Sequence, residues 1–470
     1  MEAPLLSSKK NPLIYGTILL SFSGLICRGI GFFYRLFISQ SFGEEAMGIF
    51  QLISPALMLA FSLTCAGIQT AISNYTASCI GLKNDSFARK FLFTGCVLSL
   101  SLSILYSIFI FCQAENISIY FFQEERCAPL LRICAFSFPF SALHSCFNGY
   151  FYGKKETLIP SFTQITEQLV RVGIVFFLYH YFLRQNKLPG IAITCVGMVF
   201  GEAISFFISF LYYLIICSPK STKALLDKTQ NNPLKSPSIF SKDPHIFHRK
   251  NVSCNTTLSV LKQLLALSLP LTFNRVIVNL LQSYEAVSLP AALRKYGYSA
   301  ESALSLYGVL TGMALSLILF PSTFVHSVSV LLLPSVSEAS SAKNNSIIKN
   351  TIKKSIFFSL ILGFGCTLVF FISGNFCGNF LFDSSLSGTF IRQLSFLCPF
   401  LYIHITLTSI LNGLKKTKTT LFINIFSLLL RLFFILYFVP LFGMKGYLWG
   451  LLLSELLSSL FSIASLKKYL

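Results

Sequence analysis

The sequence predicts an all-α polytopic membrane protein whose twelve crossing helices form two six-helix lobes. Three observations predict it. Of 470 residues, 54% are hydrophobic and 11% charged, with a mean hydropathy of +0.70, a make-up that excludes an ordinary soluble domain. Apolar runs of about 20 or more residues recur along the whole length, as helices crossing about 30 Å of hydrocarbon require; a β-barrel would show short alternating segments instead. Lysine and arginine gather in every second connection, the pattern of a chain threaded back and forth through a bilayer.

In order, Lys9 and Lys10 precede a first span at residues 13–38, a retained anchor because its run is too long for a signal peptide and no small-residue cleavage site follows. Span 46–76 leads to Lys83, Arg89 and Lys90. Spans 91–113 and 129–152 lead to Lys154 and Lys155, and spans 157–182 and 190–217 complete the N-terminal lobe, residues 1–217. Residues 218–262 are polar, basic and rich in Ser, Pro and Asn, so they read as a linker between lobes. The C-terminal lobe, residues 263–470, holds spans 263–289, 303–332, 351–374, 389–412, 418–438 and 444–466. Its basic connections carry Lys343, Lys349, Lys353 and Lys354, then Lys415, Lys416 and Lys418, and finally Lys467 and Lys468. With the eight basic residues between Lys220 and Lys262, this side of the membrane holds 24, against six opposite: Arg126, Arg184, Lys187, Arg294, Lys295 and Lys445. Both termini are therefore expected in the cytoplasm. The net charge of +20 is mostly this topology signal, and its dispersal over loops argues against nucleic-acid binding.

The 14 cysteines sit mostly within spans and read as small apolar packing residues, Cys112 and Cys127 being the one pair weighed as a disulfide. His245 and His248 in the linker lack further Cys or His ligands nearby, so no metal is expected.

Among the ionisable residues of the apolar spans, five arginines and four glutamates stand out: Arg28, Arg35, Arg171, Arg275 and Arg431, with Glu167, Glu202, Glu285 and Glu455. Each costs roughly 2.5–3.5 kcal/mol to place at the membrane centre, so each asks for a reason. Every cation of this set is an arginine; guanidinium grips phosphate and carboxylate oxygens bidentately, whereas ammonium is a hydrated point charge. They fall on stripes of helical spacing. Arg28 and Arg35 share a face of the first span with Ser21, Gly24 and Gly31 close by. Gln164, Glu167, Gln168 and Arg171 form an edge of the fifth span, and Arg275, Asn279, Gln282 and Glu285 one of the seventh. Gln51, Ser54 and Gln69 add a second-span stripe. Lipid-facing positions cannot satisfy such groups, so the stripes imply a shared wet cavity.

Blander readings stand beside these. Glu167 with Arg171 reads equally as an intrahelical ion pair, Arg35 as a side chain snorkelling to head groups, and His144 and His404 as interhelical hydrogen-bond partners. Glu202 and Glu455 read as structural contacts in the sixth span of each lobe. Pro55, Pro139, Pro270, Pro321 and Pro399 read as packing kinks or as hinges.

The lobes repeat each other. Pro139, Phe140, His144, Lys154 and Arg171 are matched about 260 residues later by Pro399, Phe400, His404, Lys415 and Arg431, and Arg28 and Arg275 lie at similar depth in the first span of each lobe. Parallel repeats of this kind are a transporter plan, with the substrate site between lobes near the midplane. The motif of a P-loop is missing, because Gly149-Tyr-Phe-Tyr-Gly153-Lys154-Lys155 has the wrong gap. The driving force is then an ion gradient, the membrane potential or the substrate's own gradient. The outer loops carry few paired carboxylates or histidines, so a membrane-bound enzyme is not expected.

Several strings resemble the stage V sporulation protein B family: Cys27-Arg-Gly-Ile-Gly-Phe-Phe-Tyr-Arg35, Met47-Gly-Ile-Phe-Gln-Leu52 and Ala66-Gly-Ile-Gln-Thr-Ala-Ile-Ser73. In the C-terminal half the resemblance is carried by Ser268-Leu-Pro-Leu-Thr272, Glu285-Ala-Val287, Tyr307-Gly-Val-Leu-Thr-Gly-Met-Ala314, Phe320-Pro321 and Leu331-Leu-Leu-Pro-Ser-Val-Ser-Glu338. That family belongs to the multidrug, oligosaccharidyl-lipid and polysaccharide exporter superfamily, beside the lipid II flippases. The resemblance implies two six-helix lobes in a V and outward movement of an undecaprenyl-pyrophosphate-linked sugar for cell-wall or spore-cortex peptidoglycan. Lipid II flippases carry two cavity arginines in a similar first-span string, Ser-Arg-x-x-Gly-Phe-x-Arg-Asp. Arg28 matches the first; Arg35 lies one residue beyond the second, and Leu36 replaces the acid.

The expectation is a lipid-linked oligosaccharide flippase of the bacterial cell membrane. Arg28, Arg35, Arg171 and Arg275 hold pyrophosphate, and Gln51, Asn279 and Gln282 bind sugar or peptide groups. Glu167, Glu285, Glu202, Glu455 and Arg431 serve coupling or structure. No cofactor is expected, and Na+ or H+ are the candidate coupling ions. The expected working unit is a monomer whose partners are the lipid-linked substrate and membrane lipids. Two rivals are a cation-coupled multidrug exporter, which calls for an acidic cavity, and a non-transporting scaffold for wall-synthesis enzymes.

Overall fold

The computed structural model describes residues 12–82, 84–217, 257–341 and 345–467. The linker histidines His245 and His248 and most of the linker lie outside these. In the N-terminal lobe α1 covers residues 12–42, α2 44–81, α3 Asp85–Phe122, α4 Cys127–Ala135 with Ser137–Gly153, α5 Leu158–Arg184 and α6 Ala192–Cys217. In the C-terminal lobe α7 is Thr257–Tyr296, α8 Ala300–Leu319 with Ser322–Ser341, α9 Asn345–Phe382, α10 Ser385–Gly413, α11 Thr417–Phe442 and α12 Met444–Leu466. Helix α7 thus begins inside the stretch that composition assigns to the linker.

Among the described residues, nine helical runs are long and apolar enough to cross a membrane, or ten if the bent pair in α4 counts as one span. The first of them, Ile18–Gly81, is two crossings. It breaks at Gly43, whose φ of 82° is a left-handed conformation that only glycine adopts without strain. Helix α5 stays outside that count because its polar edge dilutes its hydropathy. The helices outrun the spans drawn from hydropathy, α3 starting at Asp85 where Asn84 Oδ1 accepts from the Phe87 N–H at 3.1 Å. Aromatic and aliphatic side chains such as Phe93, Leu105, Phe177, Phe364 and Ile372 are exposed around the outside, the surface a bilayer covers.

The termini of α1 and α12 lie on one face, called here the terminal face; the α1–α2, α3–α4 and α9–α10 connections lie on the other, the distal face. Helices α2 and α8 each carry a widened π turn, Ser62–Ala66 and Val309–Ala314, at different depths in the repeat. Such turns leave backbone carbonyls unpaired and re-aim the helix. The sequence pointed to proline for interruptions; Phe320–Pro321 does break α8, and α4 bends by 44° just ahead of Pro139, but the π turns hold no proline.

The lobes meet along two seams. Helix α1 lies against α8, where the Phe32 and Phe320 rings meet at a tilt, 5.0 Å between centroids, and Arg35 donates to Ser316 Oγ at 2.7 Å. Helix α2 lies against α7, and at its distal end against α8, where Gly48 and Gly308 bring the two backbones together. A Cβ on either glycine would overlap the facing main chain. The α7 helix belongs to both lobes: Val260 and Leu264 are buried with Ile68, Ile72 and Phe91 of the N-terminal lobe, whereas Leu289 and Leu293 join the cluster around Leu310 and Ile391.

Three hydrogen bonds cross between lobes at the distal face. Arg294 donates to the Gln123 carbonyl at 3.2 Å, Gln40 Nε2 donates to the Leu381 carbonyl at 2.7 Å, and the Ser384 hydroxyl donates to Glu44. Beside them Arg126 bridges Glu45 at 2.7 Å and Glu124 at 2.6 Å. Burial opposes ionisation of Glu124, yet the Arg126 guanidinium holds its carboxyl below the usual range. A depressed carboxyl stabilises the fold above its unfolded pKa, and that contribution fades as pH falls through the folded one. Glu124→Gln is therefore expected to flatten the acid side of a thermal-stability-versus-pH profile in detergent.

Toward the terminal face Arg28, Phe22 and Ile18 of α1 are exposed.

Candidate functional site

Two constellations emerge, one between the lobes and one repeated within each lobe. Between the lobes, Arg28 projects from α1 with no carboxylate against it among the described residues. Its guanidinium lies within electrostatic reach of His326, a side chain of α8 in the opposite lobe. Across the other seam, Arg275 Nη1 donates to the Ala66 carbonyl at 3.1 Å, and Asn279 Nδ2 donates to Ser62 Oγ at 2.5 Å and the Met58 carbonyl at 3.1 Å. Ser62 and Ala66 belong to the α2 π turn and Met58 to the helical turn before it, so the α7 stripe docks beside the π turn. Arg275 is exposed and also lacks a carboxylate partner among the described residues. Gln51 is half-buried on α2. Arg35 is turned into the protein, on Ser316, rather than out toward head groups.

Within the N-terminal lobe, Arg171 Nη2 pairs with Glu167 at 2.6 Å. The imidazole of His144 on α4 faces Glu202 of α6 at 3.6 Å and Thr163 of α5 at 3.3 Å. One ligand atom each from His144, Glu167 and Glu202 lies within 4.8 Å of the others, an arrangement able to hold a cation. The C-terminal lobe repeats the set. Here His404 of α10 faces Glu455 of α12 at 3.2 Å, and Arg431 of α11 stands between Glu455 at 3.8 Å and Glu285 of α7 at 3.5 Å. Glu285 accepts from the Tyr447 hydroxyl at 3.0 Å. A cavity of about 240 Å³ beside this cluster is lined by Gln282, His404, Asn424, Ser427, Arg431 and Glu455.

The sequence placed Arg171 with Arg28, Arg35 and Arg275 in one group. The structure separates it: Arg171 and Arg431 occupy equivalent positions in the lobe interiors and are paired with glutamates, while Arg28 and Arg275 stay at the seams. The wet cavity that four stripes implied is divided accordingly, because residues on one helix face need not reach the same neighbour. Sequence reasoning missed His326, Tyr447 and Asn424. An isolated histidine in an apolar span was the available signal for the first; nothing marks the other two. It also left out Arg132 and Arg392, which lie within α4 and α10 near the distal face, Arg132 pairing with Glu115 at 2.6 Å and Arg392 lying over the Phe371 ring at 5.0 Å. The described cysteines are free thiols, Cys112 exposed and Cys127 buried.

Removing one partner of a buried pair strands the other charge. Arg171→Met is expected to lower stability by about 3–5 kcal/mol, with a smaller loss for the double variant that adds Glu167→Gln. Thermal unfolding in detergent measures both.

Twelve helices in two like lobes, with polar groups at an interlobe seam and buried charges in each lobe, define a multi-pass membrane transporter. The chain belongs to the MatE family of the multidrug, oligosaccharidyl-lipid and polysaccharide superfamily, whose sequence profile matches residues 20–177 and 296–437. Among curated proteins it is 26% identical over 464 residues to stage V sporulation protein B of Bacillus subtilis, covering 98% of this chain and 85% of that one. It is 23% identical over 424 residues to sporulation protein YkvU of the same organism, covering 89% and 86%. Its fold is that of solved superfamily transporters. An inward-facing multidrug resistance MATE family transporter superposes with a TM-score of 0.68 at 13% identity, covering 96% of each chain. A Pyrococcus furiosus transporter, whose binding pocket is described as reversed in polarity and suggestive of a different function, gives 0.64 at 13% identity, covering 98% of this chain and 96% of that one.

Proposed function

We propose that the protein flips an undecaprenyl-pyrophosphate-linked oligosaccharide across a bacterial cell membrane, for wall or spore-cortex synthesis. The observation that carries the reading is the sorting of charge. The four glutamates of the spans are drawn into the lobe interiors beside Arg171 and Arg431, while Arg28 and Arg275 remain at the seams without carboxylates among the described residues. A space of that sign attracts an anion such as pyrophosphate and repels the cationic drugs of a multidrug exporter. Similarity to stage V sporulation protein B supports a role in spore formation.

Arg28 and Arg275 hold the pyrophosphate from the two seams, and His326 adds a donor. Gln51, Asn279 and Gln282 meet sugar or peptide groups, and the prenyl tail stays in lipid. With the termini in the cytoplasm, the substrate enters from the terminal face, the side where it is made. Rocking of the lobes, with release of the distal hydrogen bonds, passes it outward. The cycle draws on an Na+ or H+ gradient and is carried out by a single chain. The test is flipping of labelled lipid II in vesicles; His326→Ala is expected to slow it several-fold, and rates at the wild-type level from Arg28→Ala and Arg275→Ala together would defeat the reading.

A further inference from the structure

We propose that a groove on the outside of the C-terminal lobe, over α10 between α9 and α12, binds an anionic phospholipid from the leaflet at the distal face. Lys445 and Arg392 hold its phosphate, and the groove takes one acyl chain. The site lies apart from the interlobe seams and from the buried charges of either lobe, and it does not depend on the transport reading above.

The groove has a volume of about 640 Å³, within the range of small-molecule sites. Its α12 wall is a stripe of helical spacing made of Lys445, Leu448, Trp449, Leu452 and Leu456. The polar lining gathers at the distal end, where Lys445 and Gln393 are exposed. Deeper in, the Thr367 hydroxyl is taken up by the Gly363 and Ser395 carbonyls, and Phe364, Phe396 and Phe400 present hydrocarbon. From Lys445 to Leu456 the helix rises about 16 Å, half of a hydrocarbon layer about 30 Å thick. The groove is therefore one leaflet deep, the reach of a single acyl chain. Trp449, the one tryptophan of the sequence, stands a turn in from Lys445 and is exposed, the place of an interfacial anchor.

The internal repeat shows what is particular to this lobe. At the offset that relates His144 to His404, Arg132 corresponds to Arg392, Glu115 to Asn375, Phe111 to Phe371 and Phe136 to Phe396. The ring pairs are kept, edge to face at 5.8 Å for Phe111 with Phe136 and 5.6 Å for Phe371 with Phe396. The charges are not. Glu115 neutralises Arg132 at 2.6 Å, whereas asparagine replaces that carboxylate in the C-terminal lobe. Arg392 lies over the Phe371 ring at 5.0 Å and has no acidic partner among the described residues. With Glu202 set against Glu455, Ala192 and Val196 correspond to Lys445 and Trp449. Lys445 also lacks a carboxylate partner among the described residues, and it sits in the first turn of α12, where the helix dipole favours an anion. One lobe neutralises this rim; the other leaves two cations beside an apolar channel.

That combination selects the occupant. A guanidinium and an ammonium match a phosphodiester, and the channel below them accepts only hydrocarbon. A zwitterionic lipid brings a cation of its own to the same rim. A neighbouring apolar helix leaves both charges unpaired, and a soluble anion leaves the groove unfilled.

The experiment uses the full chain in phosphatidylcholine vesicles that contain phosphatidylglycerol with a photoactivatable diazirine on one acyl chain, the labelled peptides being read by mass spectrometry. Phosphatidylglycerol is expected to label the groove peptides of α10 and α12 about tenfold more than phosphatidylcholine carrying the same probe. The double variant Lys445→Ala, Arg392→Ala is expected to erase that preference. Asn375→Glu, which recreates the ion pair of the other lobe and removes no groove contact, is expected to reduce it. Leu452→Trp fills the channel and is expected to lower labelling by both lipids. The proposal is overturned if the two lipids label the groove equally, or if neither the double alanine variant nor Asn375→Glu lowers the preference. It is overturned as well if undecaprenyl phosphate displaces the probe where the same concentration of unlabelled phosphatidylglycerol does not, a result that makes the groove a prenyl site.

Discussion

Arg28→Ala and Arg275→Ala are each expected to lower lipid II flipping about 10- to 150-fold, the equivalent of roughly 1.5–3 kcal/mol for a lost hydrogen bond to a charged group. The two differ in what the free protein loses. Arg28 is exposed and has no ion pair among the described residues, so removing it leaves nothing stranded. Arg275 gives up its bond to the Ala66 carbonyl, at the end of the π turn, so Arg275→Ala also loosens the α2–α7 seam. Arg28→Lys separates charge from geometry. Lysine keeps the sign but not the fork, so activity between wild type and alanine points to bidentate phosphate contact, and full activity points to a simple field effect. Thermal unfolding of the same variants distinguishes loss of substrate from loss of fold.

A covalent link across the distal face is expected to stop transport almost completely. Glu44 and Ser384 belong to different lobes and share a hydrogen bond, and Gln40 with Leu381 and Arg294 with Gln123 close the same rim. With Glu44→Cys and Ser384→Cys joined by a short cleavable thiol reagent, the lobes cannot part there. Flipping should fall to background and return when the link is cleaved, while either single cysteine is unaffected by the reagent. Transport persisting through the link would show that these lobes need not separate at this face. The glycine contact predicts the opposite trap: Gly308→Leu places a side chain where the Gly48 backbone lies, so the rim cannot close and the cysteine pair should link far more slowly.

Much of the fold was legible because a bilayer imposes it. Twelve apolar runs, alternating basic connections and a polar linker specify the number and order of crossings, since a backbone in lipid must satisfy itself as helix. The repeat was legible too: His144, Arg171 and Glu202 have structural counterparts in His404, Arg431 and Glu455, as the spacing of the first two in each lobe implied. The π turns were not, because no residue type demands them; α2 widens at Ser62–Ala66 where α7 docks. Helix ends were misjudged for a related reason. Hydropathy measures the hydrocarbon, while α3 and α9 continue as helix beyond it.

Of the candidate site, the sequence determined which charges the membrane must hold, on which helix face each lies, and that both lobes hold a like set. Tertiary structure decided their company. Glu167 sits one helical turn from Arg171 and pairs with it locally, whereas Glu285 meets Arg431 only because α7 packs against α11 and α12. Arg28 gained a histidine neighbour, His326, from the other lobe and Arg275 the Ala66 carbonyl, facts no periodicity contains. The reason is physical: periodicity along one helix fixes direction, but the energy of a charge in low dielectric depends on what other helices bring within a few ångströms of it.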